Sequence, residues 1–499
     1  MPTARVERMT DDATPWLSDR ERRRLSRRPS DRAVVATLAS TGLIAAFMQT
    51  LVIPIIPRLP EYLDTTSADA SWVLTSTLLA AAISTPIAGR LGDMYGKRRI
   101  LLALLVVMAV GSVVCAFSAS LVPMVVGRSL QGVGMGVISL GISILRDVLH
   151  RKSLGGAIAL VSATLGIGGA VGLPIAAIVA QNFDFHYLFL MAAALSVAAI
   201  VVVALTIPVS TLRTGGRFDF VGAAGFGIGL VGILLAVSKG GEWGWTSPLV
   251  LGLLIGSVVV FAAWALFELR VRDPLMDLRV AWRRPVLLTN IASVSVGFAF
   301  FVTAAALPVL LQAPTGSGVG MGQSILFASL CLMPSGLVMF FISSTAARLS
   351  AARGAKTSLV LGCGILAVTF TLGYFMIYEV WQVVVISTLA GLGTGFAYAA
   401  MPTLIMGAVP PTETAAANGL NSVMRTIGST AASAIVGVLL STWFVMDSGI
   451  SVPTHDAFRA AFVVGAVVAI GGVIVAAFIP RHDHRYDDTS SIPVQNPQD

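Results

Sequence analysis

The chain has 499 residues, of which 56% are hydrophobic and 12% are charged, and its formal net charge is +8. Its mean hydropathy of +0.86 lies far above that of water-soluble globular domains. These values exclude a soluble enzyme or a soluble binding domain, and they predict an all-α protein embedded in a membrane.

The apolar stretches of the sequence define its organisation. About 20 residues of helix cross a hydrocarbon core of about 30 Å, and fourteen stretches reach that length. We predict fourteen transmembrane helices, at residues 33–54, 71–88, 100–118, 121–145, 154–180, 187–207, 220–238, 248–267, 286–311, 322–346, 357–377, 381–405, 415–443 and 457–479.

The segment before the first helix is polar and rich in arginine, and its sequence "SDRERRRLSRRPSDR" has no early apolar core. We therefore expect no cleavable signal peptide. We interpret residues 1–32 as a cytoplasmic tail that is attracted to anionic lipid and does not bind nucleic acid. In this orientation the cytoplasmic segments hold 28 of the 33 Lys and Arg residues, and the outer loops hold three. This asymmetry follows the positive-inside rule, and it places the polar tail 480–499 in the cytoplasm as well.

Five charged residues lie between the second and third predicted helices, in the sequence "GRLGDMYGKRR". Gly89 and Gly96 permit a tight turn and a close approach of helices, while Lys97 and Arg98 hold the cytoplasmic side. Asp93 is the one acid among four bases, so it is able to pair with a base and to face the N-terminal end of a helix. A plain topogenic anchor would explain the bases but does not require this acid.

Two arginines fall inside predicted helices. Arg128 lies in "GRSLQGVG" of the fourth helix, where an unpaired charge costs about 2.5 kcal/mol to over 10 kcal/mol. Gln131 is one turn further along the same face, which favours a polar site on a central path, with snorkelling to the membrane surface as the alternative. Arg425 lies deeper in the thirteenth helix, where it serves either such a path or hydrogen bonding between helices.

The fifth predicted helix contains the sequence "LGIGGAVGLP". Gly168 and Gly172 have the spacing at which small residues pack membrane helices together, and Pro174 permits a kink. Helix packing alone explains this pattern as well as a functional role does.

An internal repeat with an offset of about 259 residues aligns "SLQGVGMG" at 129–136 with "TLAGLGTG" at 388–395, and all three glycines match. The repeat predicts two six-helix bundles, 33–207 and 286–479, which are joined by two linking helices and their loops in 208–285. Two related bundles indicate a central path and a rocking motion between two states.

These motifs resemble those of the major facilitator superfamily, and in particular its fourteen-helix branch of drug:proton antiporters. The charged segment matches the signature loop of the superfamily at Gly89, Leu91, Asp93, Gly96, Lys97 and Arg98. "GRSLQGVG" matches the motif of the fourth helix, and "GGAVGLP" matches the antiporter motif of the fifth helix except that Leu173 separates its Gly-Pro pair. The resemblance implies that the signature loop is a latch between the two bundles, which breaks during transport.

The acids depart from the pattern of this branch. No Asp or Glu lies deep in any predicted helix, although a proton-coupled exporter needs a titratable group on its path. The resemblance implies an Asp near the middle of the first helix, where this chain has Gln49, and an amide cannot cycle a proton. Asp147, at the cytoplasmic base of the fourth helix, is the substitute carrier that we predict.

Two buried arginines and no buried acid make the central path electropositive, which favours neutral or anionic amphiphiles over lipophilic cations. The sequence therefore predicts an exporter of drug-like or antibiotic-like molecules by proton antiport, and hence multidrug efflux and antibiotic resistance. The alternative is a proton-coupled importer or a narrow-specificity metabolite transporter of the same fold. We expect a monomer in the bacterial cytoplasmic membrane, with substrate, protons and lipid as its partners and no cofactor, metal or enzymatic activity.

Overall fold

The computed structural model describes residues 30–209, 216–410, 413–447 and 450–480. Most of the two predicted tails, 1–32 and 480–499, lies outside these residues. In the described part, fourteen helical segments are long and apolar enough to cross a membrane, which confirms the predicted fold class. We call them spans 1 to 14, and their helices are Asp31–Thr50, Trp72–Tyr95, Lys97–Ala116, Leu121–Gly134 with Val137–Val148 (both in span 4), Arg151–Asn182, His186–Thr206, Phe220–Trp243, Pro248–Glu268, Arg284–Gln312, Ile325–Arg353, Ala355–Phe375, Val380–Ala408, Thr414–Thr442 and His455–Ala477.

Short elements fill the connections. They are the 3-10 helices Ile53–Arg58 and Thr315–Ser317 and the helices Leu59–Tyr62, Ser67–Ala70 and Leu278–Ala281. Two strands, β1 (Phe444–Asp447) and β2 (Ile450–Pro453), form an antiparallel hairpin between spans 13 and 14. This hairpin is an exception to the predicted all-α structure, and its β-branched and aromatic residues suit a pleated pair of strands.

The charged segment after span 2 is not the loop that we predicted. The helix continues past residue 88 to Tyr95, because Asp93 and Met94 are buried against neighbouring helices. Gly96 alone makes the turn, with a φ of 104°, and the next helix begins at Lys97. Gly354 makes the related turn between spans 10 and 11 with a φ of 86°. Such positive φ values favour glycine, since it has no Cβ.

The packing follows the internal repeat. One hydrophobic core lies mainly within residues 34–207 and another within 292–479. Span 5 packs on span 1 as span 13 packs on span 9, and span 4 packs on spans 2 and 3 as span 12 packs on spans 10 and 11. We call the two sets of six spans the first half and the second half. They contact each other where span 2 meets span 13 and where span 5 meets span 10.

The two linking spans have different surroundings. Span 7 lies along the seam between spans 2 and 13, where Phe226 and Leu230 join a buried cluster with Ala82 and Val423. Span 8 packs mainly on span 7, and most of its surface is left for lipid. The linking spans therefore brace one of the two contacts between the halves.

Candidate functional site

Asp93 connects the two halves. Its side chain is buried on span 2, and its Oδ2 accepts a hydrogen bond of 3.1 Å from the backbone N–H of Ala416 in the first turn of span 13. The N-terminal turn of a helix carries unpaired N–H groups and a partial positive charge, so it binds an anion well. We call this end of the molecule the inner end, after the predicted orientation, and the contacts of Asp93 and its neighbours there the inner gate.

Lys97 holds a second acid at the inner gate. Its Nζ lies 2.8 Å from Oδ1 of Asp147 and 3.7 Å from Oδ1 of Asp93, and it also donates to Thr414 Oγ1 at 3.3 Å. The side chains of the cation and both acids are at most 4% exposed. Asp147, which the sequence marks as a proton carrier, is therefore part of the gate. Removing one member of a buried ion pair costs about 3–5 kcal/mol.

The seam continues through residues that sequence reasoning missed. Ser143 and Thr414 join their hydroxyls at 2.6 Å across the halves, and Arg146 donates to the carbonyl of Val409. These contacts depend on the three-dimensional position of the start of span 13, and no motif in the sequence predicts that position.

Backbones touch at the inner gate. A Cβ at Gly89 would lie 2.5 Å from the carbonyl oxygen of Ala415, and one at Gly419 would lie 2.8 Å from Cα of Pro86. Gly89 therefore serves the close approach and Gly96 the turn, while Arg98 donates to the carbonyl of Ala204 in its own half. Of the predicted latch residues, Gly89, Asp93 and Lys97 reach the second half.

Glu413 lies just before span 13, beside the gate. Burial raises the pKa of its carboxyl, and the nearby Asp277 raises it further, while Arg90 and Arg283 act in the opposite direction. Arg90, Asp277 and Glu413 also line a cavity at the inner end, together with the first turn of span 13. The margin of the gate thus contains an acid that holds its proton more tightly than usual.

Arg128 is fully buried in the first half. Its Nη1 donates to the carbonyl of Met48 at 3.0 Å and to Oε1 of Gln131 at 2.7 Å, and its Nε donates to the carbonyl of Val73 at 3.4 Å. Gln131 in turn donates to Ser112 Oγ at 2.8 Å. These bonds connect spans 1, 2, 3 and 4. They hold the guanidinium inside the first half, so Arg128 does not snorkel to the membrane surface, which was the alternative. A role of this pair in a substrate path stays a prediction, because both side chains are 0% exposed in this conformation.

Arg425 has a more open environment on span 13. Its side chain is half-buried, its Nη1 donates to Oδ1 of Asn421 at 2.7 Å, and its Cζ lies 5.1 Å from the ring centroid of Tyr398. Asn421 is held by Asn290 and Ser293 of span 9. No carboxylate pairs with Arg425 within the described part of the chain. Such a cation has donors and charge left for a ligand.

The remaining predicted residues lie on spans 1 and 5. Gln49 is exposed. A Cβ at Gly168 would overlap Ala46, and one at Gly172 would lie 2.5 Å from Thr50 Oγ1. Pro174 lies within the helix Arg151–Asn182 and does not end it. The glycines thus form the contact surface between spans 5 and 1, as expected of small residues in membrane helices.

A family model described as Major Facilitator Superfamily matches residues 38–429 and 335–494. The chain belongs to the Major Facilitator Superfamily. This result confirms the resemblance that the sequence motifs carry. A solved structure with the same fold is that of the human organic anion transporter MFSD10 (TETRAN), with a TM-score of 0.62 and 15% identity, covering 90% of this chain and all of the other.

Among the curated relatives of this superfamily member are proteins from two bacteria. An MFS-type transporter of Mycobacterium tuberculosis is 26% identical over 82% of this chain, which spans 60% of the relative's length. Multidrug resistance protein 3 of Bacillus subtilis is 24% identical over 75% of this chain and 73% of the relative. Multidrug resistance protein B homolog of M. tuberculosis is 25% identical over 90% of this chain and 91% of the relative.

Proposed function

We propose that this protein exports amphipathic small molecules, neutral or anionic and drug-like, from the bacterial cytoplasm or inner leaflet in exchange for protons. It acts as a monomer in the cytoplasmic membrane with both termini inside, and its two halves rock about a central path. The inner gate is the observation that carries this proposal.

The gate has the properties of a reversible closure. It joins the halves through the Asp93–Ala416 hydrogen bond and the hydrogen bond from Lys97 to Thr414, and Lys97 is also paired with Asp147 of its own half. Protonation of either acid removes a negative charge that faces a helix N-terminus or a lysine, so it weakens the gate. Protons that arrive from the outer side thus favour inner opening, and their release to the cytoplasm favours closure. This mechanism needs no acid at the position of Gln49.

The charge preference rests on Arg425. It is a half-buried cation without an acidic partner in the described residues, and it would attract an anionic group and repel a cationic one. Tyr398 lies against the guanidinium, and the Phe300 ring lies 6.3 Å from that of Tyr398. These rings suit the apolar part of an amphiphile. The multidrug names of two relatives support drug-like substrates.

The test is protection of an efflux-deficient bacterium against anionic, neutral and cationic antibiotics, with and without an uncoupler. We expect the wild type to protect against neutral and anionic compounds only, and the uncoupler to abolish protection. Asp93→Asn should insert normally and lose transport about tenfold or more, because it weakens a buried charge contact.

The matched control for Asp93→Asn is Glu61→Gln, which neutralises an exposed acid at the outer end and should keep full activity. Full activity of a well-expressed Asp93→Asn variant would contradict the role of the gate. Sensitisation to a compound, with uncoupler-sensitive uptake, would favour the proton-coupled importer. Protection against one metabolite alone would favour a narrow-specificity transporter.

A further inference from the structure

A short series of hydrogen-bonded side chains leads from span 9 to Arg425 on span 13. The amide nitrogen of Asn421 donates to Oδ1 of Asn290 at 3.0 Å and to Oγ of Ser293 at 2.6 Å. The amide oxygen of Asn421 accepts a hydrogen bond of 2.7 Å from Nη1 of Arg425. Asn290, Ser293 and Asn421 are at most 5% exposed. We call these three side chains the asparagine relay.

The relay fixes which end of the Asn421 amide faces the cation. The Ser293 hydroxyl donates its proton to the carbonyl of Thr289 at 2.7 Å, so its oxygen is left to accept from Asn421. An amide turned by half a rotation would place its NH₂ group against the donors of Arg425 and its oxygen against the acceptors of span 9. The acceptors of span 9 therefore keep the amide oxygen on the side of Arg425.

The backbone at Arg425 is also held in place. A Cβ at Gly297 of span 9 would overlap the carbonyl oxygen of Arg425, and one at Gly428 would overlap the carbonyl oxygen of Val294. The Ser429 hydroxyl donates to the carbonyl of Gly297 at 3.0 Å. Spans 9 and 13 thus touch through their backbones at the level of Arg425, and its side chain is the part that needs positioning.

The guanidinium of Arg425 is bound on one part and accessible on the rest. Besides its bond to Asn421, it hydrogen-bonds the hydroxyl of Tyr398, whose ring centroid lies 5.1 Å from Cζ. In the described part of the chain Arg425 has no nitrogen that is both buried and unbonded, so its other donors are accessible. A guanidinium has five N–H donors in a rigid fork, which suits an anionic group of a ligand.

We propose that the asparagine relay positions Arg425 to bind the anionic group of the substrate, and that it thereby sets the preference for anionic over neutral amphiphiles. Asn290 and Ser293 are positioning residues that act through Asn421. This inference rests on the export proposed above and names the residues that determine its charge selectivity. Without the relay the guanidinium has to be ordered when an anion binds, and this cost lowers the affinity for anions alone.

The test compares two probes of the same shape and different charge. Binding of naphthoate and of naphthamide, its neutral amide, to the full chain is measured by equilibrium dialysis in detergent, with protein-free detergent as the blank. The wild type should bind naphthoate more tightly. Asn290→Leu should weaken naphthoate binding by about threefold to tenfold and change naphthamide binding by less than about twofold, as expected for the loss of one hydrogen bond at the anion site.

Two further comparisons separate positioning from a purely structural role. Ser293→Ala should act like Asn290→Leu, while Ser358→Ala should leave the ratio of the two affinities unchanged. Ser358 is the matched control because both serines are 0% exposed, and the Ser358 hydroxyl donates to the carbonyl of Phe396 on the next helix at 3.1 Å. In an Arg425→Gln background Asn290→Leu should have no further effect on the ratio, since the relay acts through Arg425.

A ratio that neither Asn290→Leu nor Ser293→Ala alters would overturn the proposal. Equal losses for both probes, an undiminished effect of Asn290→Leu in the Arg425→Gln background, or equal binding of both probes by the wild type would overturn it as well. Monodisperse elution in detergent identifies the variants that fold, and Ser293→Ala provides the test if Asn290→Leu does not fold.

Proton release from membrane vesicles measures the export separately. Charge-selective binding that depends on Asn290, without proton release by any compound, would contradict the export and leave the relay standing. Proton release with an anionic preference that survives Asn290→Leu would contradict the relay and leave the export standing.

Discussion

Arg128 and Arg425 look alike in the sequence, because each is a lone cation inside an apolar helix, but they differ in the structure. Arg128 is 0% exposed, and its three hydrogen bonds join it to Met48, Val73 and Gln131. Arg425 is half-buried, is bonded to Asn421 and lies against Tyr398. Arg128 spends its hydrogen-bond donors on its own half and therefore stabilises that half. Arg425 keeps donors that are not used within the described residues, so they are available to a ligand.

The largest effect that we expect comes from Arg128→Met. This change leaves the carbonyls of Met48 and Val73 and the side chain of Gln131 without their donor, and each unpaired buried group costs about 1–3 kcal/mol. We predict a loss of about 3 kcal/mol or more in stability, seen as a lower unfolding temperature in detergent and as reduced transport of every substrate. An unchanged unfolding temperature would contradict the structural role of Arg128 that distinguishes it from Arg425.

The next effect is selective and comes from Arg425→Gln. A hydrogen bond to a charged group contributes about 1.5–3 kcal/mol, so transport of anionic compounds should fall about tenfold or more. Transport of neutral compounds and the unfolding temperature should change little, since glutamine keeps a donor for Asn421. Arg425→Lys, which keeps the charge, is the matched control and should retain part of the anionic transport. A uniform loss across all compounds would assign Arg425 the structural role that we give to Arg128.

Tyr398→Leu tests how much the aromatic ring contributes to the surroundings of Arg425. The ring contributes about 0.5–2 kcal/mol to a cation beside it, and its loss frees the guanidinium. We predict a change of a few fold in the concentration dependence of anionic transport, measured at matched expression. The equivalent change at Tyr374, at the outer end, should have no such effect, and equal effects of both would argue against a site at Tyr398.

The smallest effect concerns Glu413, a partly buried acid at the margin of the gate. Its pKa is raised when the gate is closed, so the closed state binds its proton more tightly than the open state. The stabilisation of the closed gate by protonated Glu413 is complete at low pH and is lost as the pH rises through the raised pKa. Glu413→Gln should remove this weak pH dependence, measured as labelling of a cysteine introduced at Ala417 on the adjoining cavity. A profile that Glu413→Gln does not alter would exclude this acid from the gate.

Much of the fold follows from composition and spacing. Long apolar stretches predict the fourteen spans because the membrane requires about 20 apolar residues for each, and the glycine repeat predicts the two related six-helix bundles. The continuation of span 2 through Asp93 could not be predicted in this way. A charged residue remains helical there because it has a partner in span 13, and the sequence does not show which helices meet.

The same limit applies to the site. The sequence identifies Asp93, Lys97 and Asp147 as unusual charges, but not their convergence at the first turn of span 13. It marks Arg128 and Arg425 by the cost of a buried cation, and that cost is the same whether the partner is a backbone carbonyl or a ligand.

The most direct test of the proposed export uses inverted membrane vesicles that have been acidified inside by respiration. Anionic, neutral and cationic amphiphiles are added in turn, and release of protons from the lumen is recorded with a pH-sensitive dye for wild type, Arg425→Gln and Asp93→Asn. We predict proton release by anionic and neutral compounds in the wild type, by neutral compounds alone in Arg425→Gln, and by none in Asp93→Asn. Proton release by the cationic compounds, or an anionic response that survives in Arg425→Gln, would contradict the account.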